Sequence, residues 1–490
     1  MSAQTRAESA EAADAPVLAK ADPPVPGDGL WSASHRALTL GLVLTITFIA
    51  SEALAVITIM PVVARDLGGL NLYGWVFSAF MLGNVVGIVA AGREADRFGP
   101  ARPFLAGLAL FGAGLAIAGL APSMLVLVAG RALQGIGAGA VPAIAYVSIG
   151  RSLPERLQAR MMAVLSTAWV VPGLVGPAIS AAVASLVGWR WVFLGLLPVV
   201  AVTGSMALPA LFRLGKQPTA AGDNPATGSV HRLSDGLTAA AGAGLLLTGL
   251  SLVAGARDVV AGVVVLVLGI AAISASLRRL LPAGTFTARP GLPAVILSRG
   301  LLTFTFFGAD AYVTLTITTV RHHSPAVAGI AVTGSTLAWT AGAWLQSRLN
   351  GRWEARRLVG CGVIVLLTGL ASMALVLSPA IPVEVGMAAW TVAGFGIGLA
   401  YAPITLLMLR EAPQGREGWA SSSLNLADVL GTAIGIGLGG AAVAAATAHG
   451  WPLAAGVGIA FALAGAGALA LAIASRRLPL THAGHYSEQM

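Results

Sequence analysis

Four ionisable side chains interrupt long apolar runs: Glu52 in FIASEALAV, Arg131 in GRALQGIGAG, Asp310 in FFGADAYV and Asp428 in LNLADVLG. A charge in the middle of a membrane-spanning helix costs about 2.5–3.5 kcal/mol on insertion scales, so such residues mark proton, ion or substrate paths. A carboxyl in a poorly hydrated site has its charged form disfavoured, and a neighbouring arginine acts in the opposite sense. An acid and an arginine that meet in one conformation and part in another therefore take up and release a proton in alternation. Arg299, six residues past Pro293, is expected to snorkel to the near membrane surface. Glu384 and Arg410 read as end residues.

The elements that must carry these groups follow from composition. The chain has 490 residues, 57% hydrophobic and 10% charged, with a mean hydropathy of +0.84. That is far too apolar for a soluble domain and points to an integral membrane protein in contact with the lipid bilayer. The 62 glycines suit helices that pack closely in lipid, where small residues let backbones approach. The single cysteine, Cys361, excludes an internal disulfide and is expected to pack in its apolar run. Residues 1–36 are polar and rich in Ala and Pro, with no apolar core for a cleavable signal, and are expected to form a disordered cytoplasmic tail.

A spanning helix needs about 20 mostly apolar residues. That ruler predicts fourteen spans, at 37–64, 73–92, 103–121, 123–149, 161–187, 190–212, 236–255, 258–276, 293–320, 325–346, 358–379, 382–409, 420–447 and 451–475. Twenty-three of the 29 Lys and Arg residues then fall in the tails and alternate loops; only Arg65, Arg190, Arg257 and Arg321 fall in the opposite loops. The positive-inside rule places both termini in the cytoplasm of a multi-pass protein of the cytoplasmic membrane. Topology accounts for the net charge of +9, so no nucleic-acid partner is implied.

The chain also repeats itself. GPARPFLAGLALFGAGL at 99–115 corresponds to WEARRLVGCGVIVLLTGL at 353–370, GIGAGAVP at 135–142 to GFGIGLAYAP at 394–403, and GWRW at 188–191 to GWPL at 450–453. Spans 1–6 thus correspond to spans 9–14, with spans 7–8 inserted. The expected organisation is a tail (1–36), an N-terminal six-helix bundle (37–212), a linker with two extra helices (213–292), a C-terminal six-helix bundle (293–476) and a cytoplasmic tail (477–490). The GIGAG glycines lie within an apolar span with no preceding strand, so they read as helix-packing positions rather than a phosphate loop. Pro177 removes an intrahelical hydrogen bond and is expected to kink span 5. Adjacent His322 and His323 lack nearby partners for a metal, and no metal site is expected. No nucleophile–base constellation lies outside the apolar spans, so no enzymatic activity is expected.

Two six-helix halves separated by an inserted hairpin resemble the major facilitator superfamily, in its fourteen-span drug:proton antiporter branch. Gly92, Asp96, Arg97 and Gly99 match the family's Gly-x-x-x-Asp-Arg-x-Gly loop, Arg131, Gln134 and Gly135 its span 4 pattern, and Gly176 and Pro177 its span 5 antiporter motif. Ser180 and Ala181 replace the usual Gly-Gly that ends that motif, and the branch's usual aspartate signature is missing from span 1, where Glu52 is the only acid. The resemblance implies an all-α membrane protein of fourteen helices, two six-helix bundles related by a pseudo-two-fold repeat. Spans 1 and 9 would then border a central cavity, with Glu52 and Asp310 facing each other about 22–26 Å along their helices. It further implies export of a small lipophilic or amphipathic molecule in exchange for protons. The proton gradient would be the energy source, with no cofactor, and the protein would act as a monomer. Asp96 would close the cytoplasmic side against the start of span 13. Rival readings are a facilitator or symporter of a polar nutrient, an exporter of a lipid or endogenous metabolite, and a non-transporting receptor.

Overall fold

The computed structural model describes residues 29–32, 35–153, 157, 161, 164, 168, 170–213, 225–255, 258–349, 352–413 and 417–480. Among them, thirteen helical segments are long and apolar enough to cross a membrane, and a shorter apolar helix covers Val171–Leu186. In chain order the helices are α1 Arg36–Leu67, α2 Tyr73–Phe98, α3 Ala101–Gly119, α4 Met124–Ser152, α5 Val170–Leu186 and α6 Leu197–Arg213. Then follow the inserted α7 Pro225–Ala254 and α8 Val259–Leu280. The last six are α9 Leu292–Leu315, α10 Pro325–Leu349, α11 Ala355–Leu375, α12 Val383–Glu411, α13 Glu417–Ala448 and α14 Leu453–Ser475. Most of the beginning of predicted span 5, including Trp169, lies outside the described residues.

The pairing of these helices is the same in both halves. In the first, α1 packs on α5 and α6, α2 on α4, and α3 on α4 and α6. In the second, α9 packs on α13 and α14, α10 on α12, and α11 on α12 and α14. The halves meet along α2–α13 and α5–α10, two seams that exchange under the pseudo-two-fold repeat.

Glycine explains why the pairs sit so close. A Cβ added at Gly135 or Gly139 would strike the α2 backbone at Phe80 or Asn84, whereas one at Gly137 would strike α3 at Gly107 and Phe111. The matching run repeats the arrangement: Gly394 and Gly398 abut Ser335 and Trp339 of α10, and Gly396 abuts α11. Residues i and i+4 face one neighbour and i+2 the other, so GIGAG and GFGIG are two-sided packing ridges.

The insert is no bystander. Its α7 packs on both α2 and α13, with Gly236 against Val89 and Leu247 against Gly437, so it straddles the seam between the halves. Cys361, expected to pack in its apolar run, is exposed.

Candidate functional site

Glu52 sits at mid-length on α1 and is completely buried. Its partner comes from α4: the Gly135–Phe80 contact presses α4 onto α2 and brings Arg131, one turn earlier, between α1 and α2. The Arg131 Nη1 donates to Glu52 Oε1 in a buried ion pair and to Gln134 Oε1 at 2.8 Å. Its Nε donates to the Val76 carbonyl at 3.3 Å, and the guanidinium lies 4.2 Å from the centre of the Phe80 ring. Arg131 is therefore held by α2 and α4 even without Glu52. Two buried polar atoms of this cluster have no partner among the described residues: Glu52 Oε2 and Gln134 Nε2. The three residue types of the Arg-x-x-Gln-Gly pattern thus have separate duties: charge, hydrogen bond and close approach.

Asp310 does not join this cluster. It is 5% exposed, and its Oδ1 accepts from Trp390 Nε1 of α12 at 2.7 Å. Among the described residues no cationic side chain is paired with it. Trp390 stacks on Phe306 with ring centres 5.1 Å apart. From Phe306 the ring contacts continue through Trp339 at 5.5 Å to Tyr401 at 5.3 Å.

The aromatic chain ends at a second charged pair. Arg299 is 4% exposed and does not snorkel. Its Nε lies 3.1 Å from Asp428 Oδ1 without the alignment of a hydrogen bond, and its Nη1 and Nη2 donate to the Tyr401 carbonyl at 2.9 Å and to Thr405 Oγ1 at 3.1 Å. The guanidinium stacks 3.3 Å over the Tyr401 ring, whose hydroxyl donates to Asp428 Oδ2 at 3.3 Å. Arg299 stays inside because α13 offers it a carboxylate, Asp428, while α12 offers the carbonyl and ring of Tyr401 and the Thr405 hydroxyl. Spacing along one helix carried no signal for this site, because all of its partners lie more than 100 positions away.

The remaining motifs are placed unevenly. Gly92, Asp96 and Arg97 fall in the last turns of α2 and their surroundings lie outside the described residues, as does any Asp96 contact with α13. Gly99 ends α2 at φ +82°, a conformation that glycine adopts without strain, which explains the motif's last position. Pro177 is inside α5, where its carbonyl accepts from Ser180 Oγ at 3.0 Å and abuts Gly329 of α10, so the Gly176-Pro177 motif lies on a seam between the halves.

Known proteins place the chain in context. Residues 40–309 match the Major Facilitator Superfamily. A probable multidrug-efflux transporter of Mycobacterium tuberculosis is 29% identical over 403 residues, covering 79% of this chain and 83% of its own length. An uncharacterized transporter of Escherichia coli, YebQ, is 28% identical, covering 84% of this chain and 90% of its own. Among solved structures, an auto-inhibited POT family peptide transporter aligns at a TM-score of 0.64 and 16% identity, over 90% of this chain and 98% of that one. The partially occluded, inward-open xylose transporter XylE of E. coli aligns at 0.61 and 14%, over 91% and 97%. Two structurally repeated six-helix halves, an inserted helix pair and a matching family sequence over more than half its length establish that this multi-pass membrane chain belongs to the Major Facilitator Superfamily.

Proposed function

We propose that the protein is a proton-coupled antiporter that exports lipophilic or amphipathic molecules across the cytoplasmic membrane by alternating access, working as a monomer with both termini in the cytoplasm. The observation that carries this reading is the buried Glu52–Arg131 pair. Glu52 Oε1 is engaged by Arg131 while Oε2 has no partner among the described residues, so Oε2 is the atom at which a proton can be taken up when the site opens to water. Protonation removes the charge that holds α1 to Arg131, and Arg131 keeps Val76, Gln134 and Phe80 as partners, so the pair can part without stranding a bare guanidinium. The multidrug-efflux names of relatives at 29% identity support a drug-like substrate.

Reconstituted into liposomes, the protein is expected to move protons in response to substrate across a panel of lipophilic cations, neutral antibiotics and lipids. Transport of a panel member with no accompanying proton movement would favour a facilitator.

Asp310 takes the substrate side of this scheme. Being a buried acid with no cationic partner among the described residues, it favours a positively charged substrate, with the Trp390–Phe306–Trp339 rings beside it offering apolar contact. Asp310→Asn keeps the shape and a hydrogen-bond acceptor for Trp390, so affinity for cationic substrates is expected to fall about tenfold and affinity for neutral ones to change little. Equal losses for both classes in a binding titration would reject the assignment.

A further inference from the structure

The described cross-half hydrogen bonds cluster on one side of the molecule. Tyr73, at the start of α2, donates from its hydroxyl to the Ala311 carbonyl of α9 at 3.0 Å and lies 3.4 Å from Thr314 Oγ1. Thr314 in turn donates to the Ile57 carbonyl of α1 at 3.0 Å, and Ser78 donates to the Ala433 carbonyl of α13 at 2.9 Å. All three hydroxyl residues are fully buried. Beside them Gly74 and Gly440 meet backbone to backbone, leaving no room for a Cβ on either. These contacts lie toward the ends of α1 and α9 and the start of α2, the face away from the beginning of α1.

The geometry points to Tyr73, Ser78 and Thr314 as a hydroxyl-to-carbonyl latch: positioning residues that hold the halves shut at this far face and set how often it opens. A buried hydroxyl that loses its partner pays a desolvation cost unless water replaces the carbonyl, so the seam has two favourable states, bonded and dry or parted and wet. No charged group is among the three donors or their acceptors, so closure here does not itself depend on a proton. The latch nonetheless bears on the buried acids through the backbone. Ala311 follows Asp310 directly, and Ile57 lies five residues past Glu52 on α1.

Beyond the latch, α9 continues as a π-helix over Thr316–Val320. It ends at Arg321, whose guanidinium is tied to the carbonyls of Ser378 at 2.6 Å, Pro379 at 3.3 Å and Ile381 at 2.9 Å. A π stretch between a fixed end and a releasable contact supplies the slack for α9 to swing away from α2 while Arg321 stays anchored.

Spin labels at Asn71→Cys and His449→Cys, in a background with Cys361 replaced, report far-face separation by pulsed distance measurement with neither substrate nor gradient. Tyr73→Phe removes one hydroxyl and keeps the ring; it is expected to raise the open population about five-fold, with an unchanged melting temperature. Thr314→Val should act in the same direction, and the double variant should exceed either single one. Gly74→Ala, which wedges the seam at Gly440, should open it further still. Distance distributions in Tyr73→Phe and Thr314→Val that match the parent would overturn the latch, whatever Gly74→Ala does. Because the readout involves no proton or substrate, failure of the latch is separable from failure of the antiport reading.

Discussion

Glu52→Gln protein is expected to fold, bind substrate and exchange it down a gradient, yet to lose accumulation against one. The amide retains an oxygen to accept from Arg131 and occupies the same volume, so the fully buried site keeps its shape. What it loses is the ability to switch between charged and neutral forms, and with it the means of tying a conformational change to a proton. Neutralisation fixes the cluster in the equivalent of its protonated form, with Arg131 held by Val76, Gln134 and Phe80 and by a neutral amide oxygen in place of the carboxylate. Proteoliposomes carrying an imposed pH gradient give the measurement: substrate in the variant should equilibrate and go no further, while the parent concentrates it. Well-folded Glu52→Gln protein that still concentrates substrate would show that the coupling proton is carried elsewhere.

The symmetry of the fold makes this assignment sharper, because the chemistry does not share it. In the first half the acid is on the leading helix, α1, and its arginine on α4. In the second half the arginine is on the leading helix, α9, and its acid on α13. Exposure differs as well: the Glu52 side chain is 0% exposed and that of Asp428 22%. Two backbones of one design thus carry differently sealed charges. The proposed division of labour, proton exchange in the first half and substrate contact along the aromatic chain in the second, would account for this divergence beside the shared glycine ridges.

Much of the fold was legible because membrane helices announce themselves. Apolar runs of spanning length set the helices, and paired GIGAG and GFGIG runs revealed the duplicated packing, since close approach requires glycine at fixed intervals. Span 5 is expected to begin at residue 161, and its continuously described part begins at Val170. The charged positions were legible too, but their partners were only half so. Arg131 and Gln134 are three residues apart on one helix, and their joint approach to Glu52 depends on how α4 is rotated against α1. Trp390 as the partner of Asp310, and Tyr401, Thr405 and Asp428 as the partners of Arg299, depend on the same rotation between helices distant in sequence. Period and spacing within a helix fix which face a residue occupies, but not which residue waits opposite. That is why Arg299 read as a snorkelling end residue and proves to be buried.

Removing the arginine should have the larger structural effect. Arg131→Met supplies similar bulk without charge, and leaves Glu52 in a dry site with neither counter-ion nor the Gln134-linked hydrogen-bond network. Breaking a buried pair in this way costs about 3–5 kcal/mol, because the surviving charge is uncompensated. The variant is therefore expected to melt well below the parent in detergent, and to bind substrate only as far as folded protein survives. The Glu52→Gln/Arg131→Met double variant leaves no buried charge at the site, so it should recover most of that loss, a non-additivity that a mutant cycle reads directly. Recovery of stability must not bring recovery of coupling: the double variant should be sound, able to equilibrate substrate and unable to concentrate it. An Arg131→Met protein as stable as the parent would mean that Glu52 is not charged in the state described. A stable double variant that still drives substrate uphill would make the pair a packing device, and would move the search for the proton to Asp310 and Asp428.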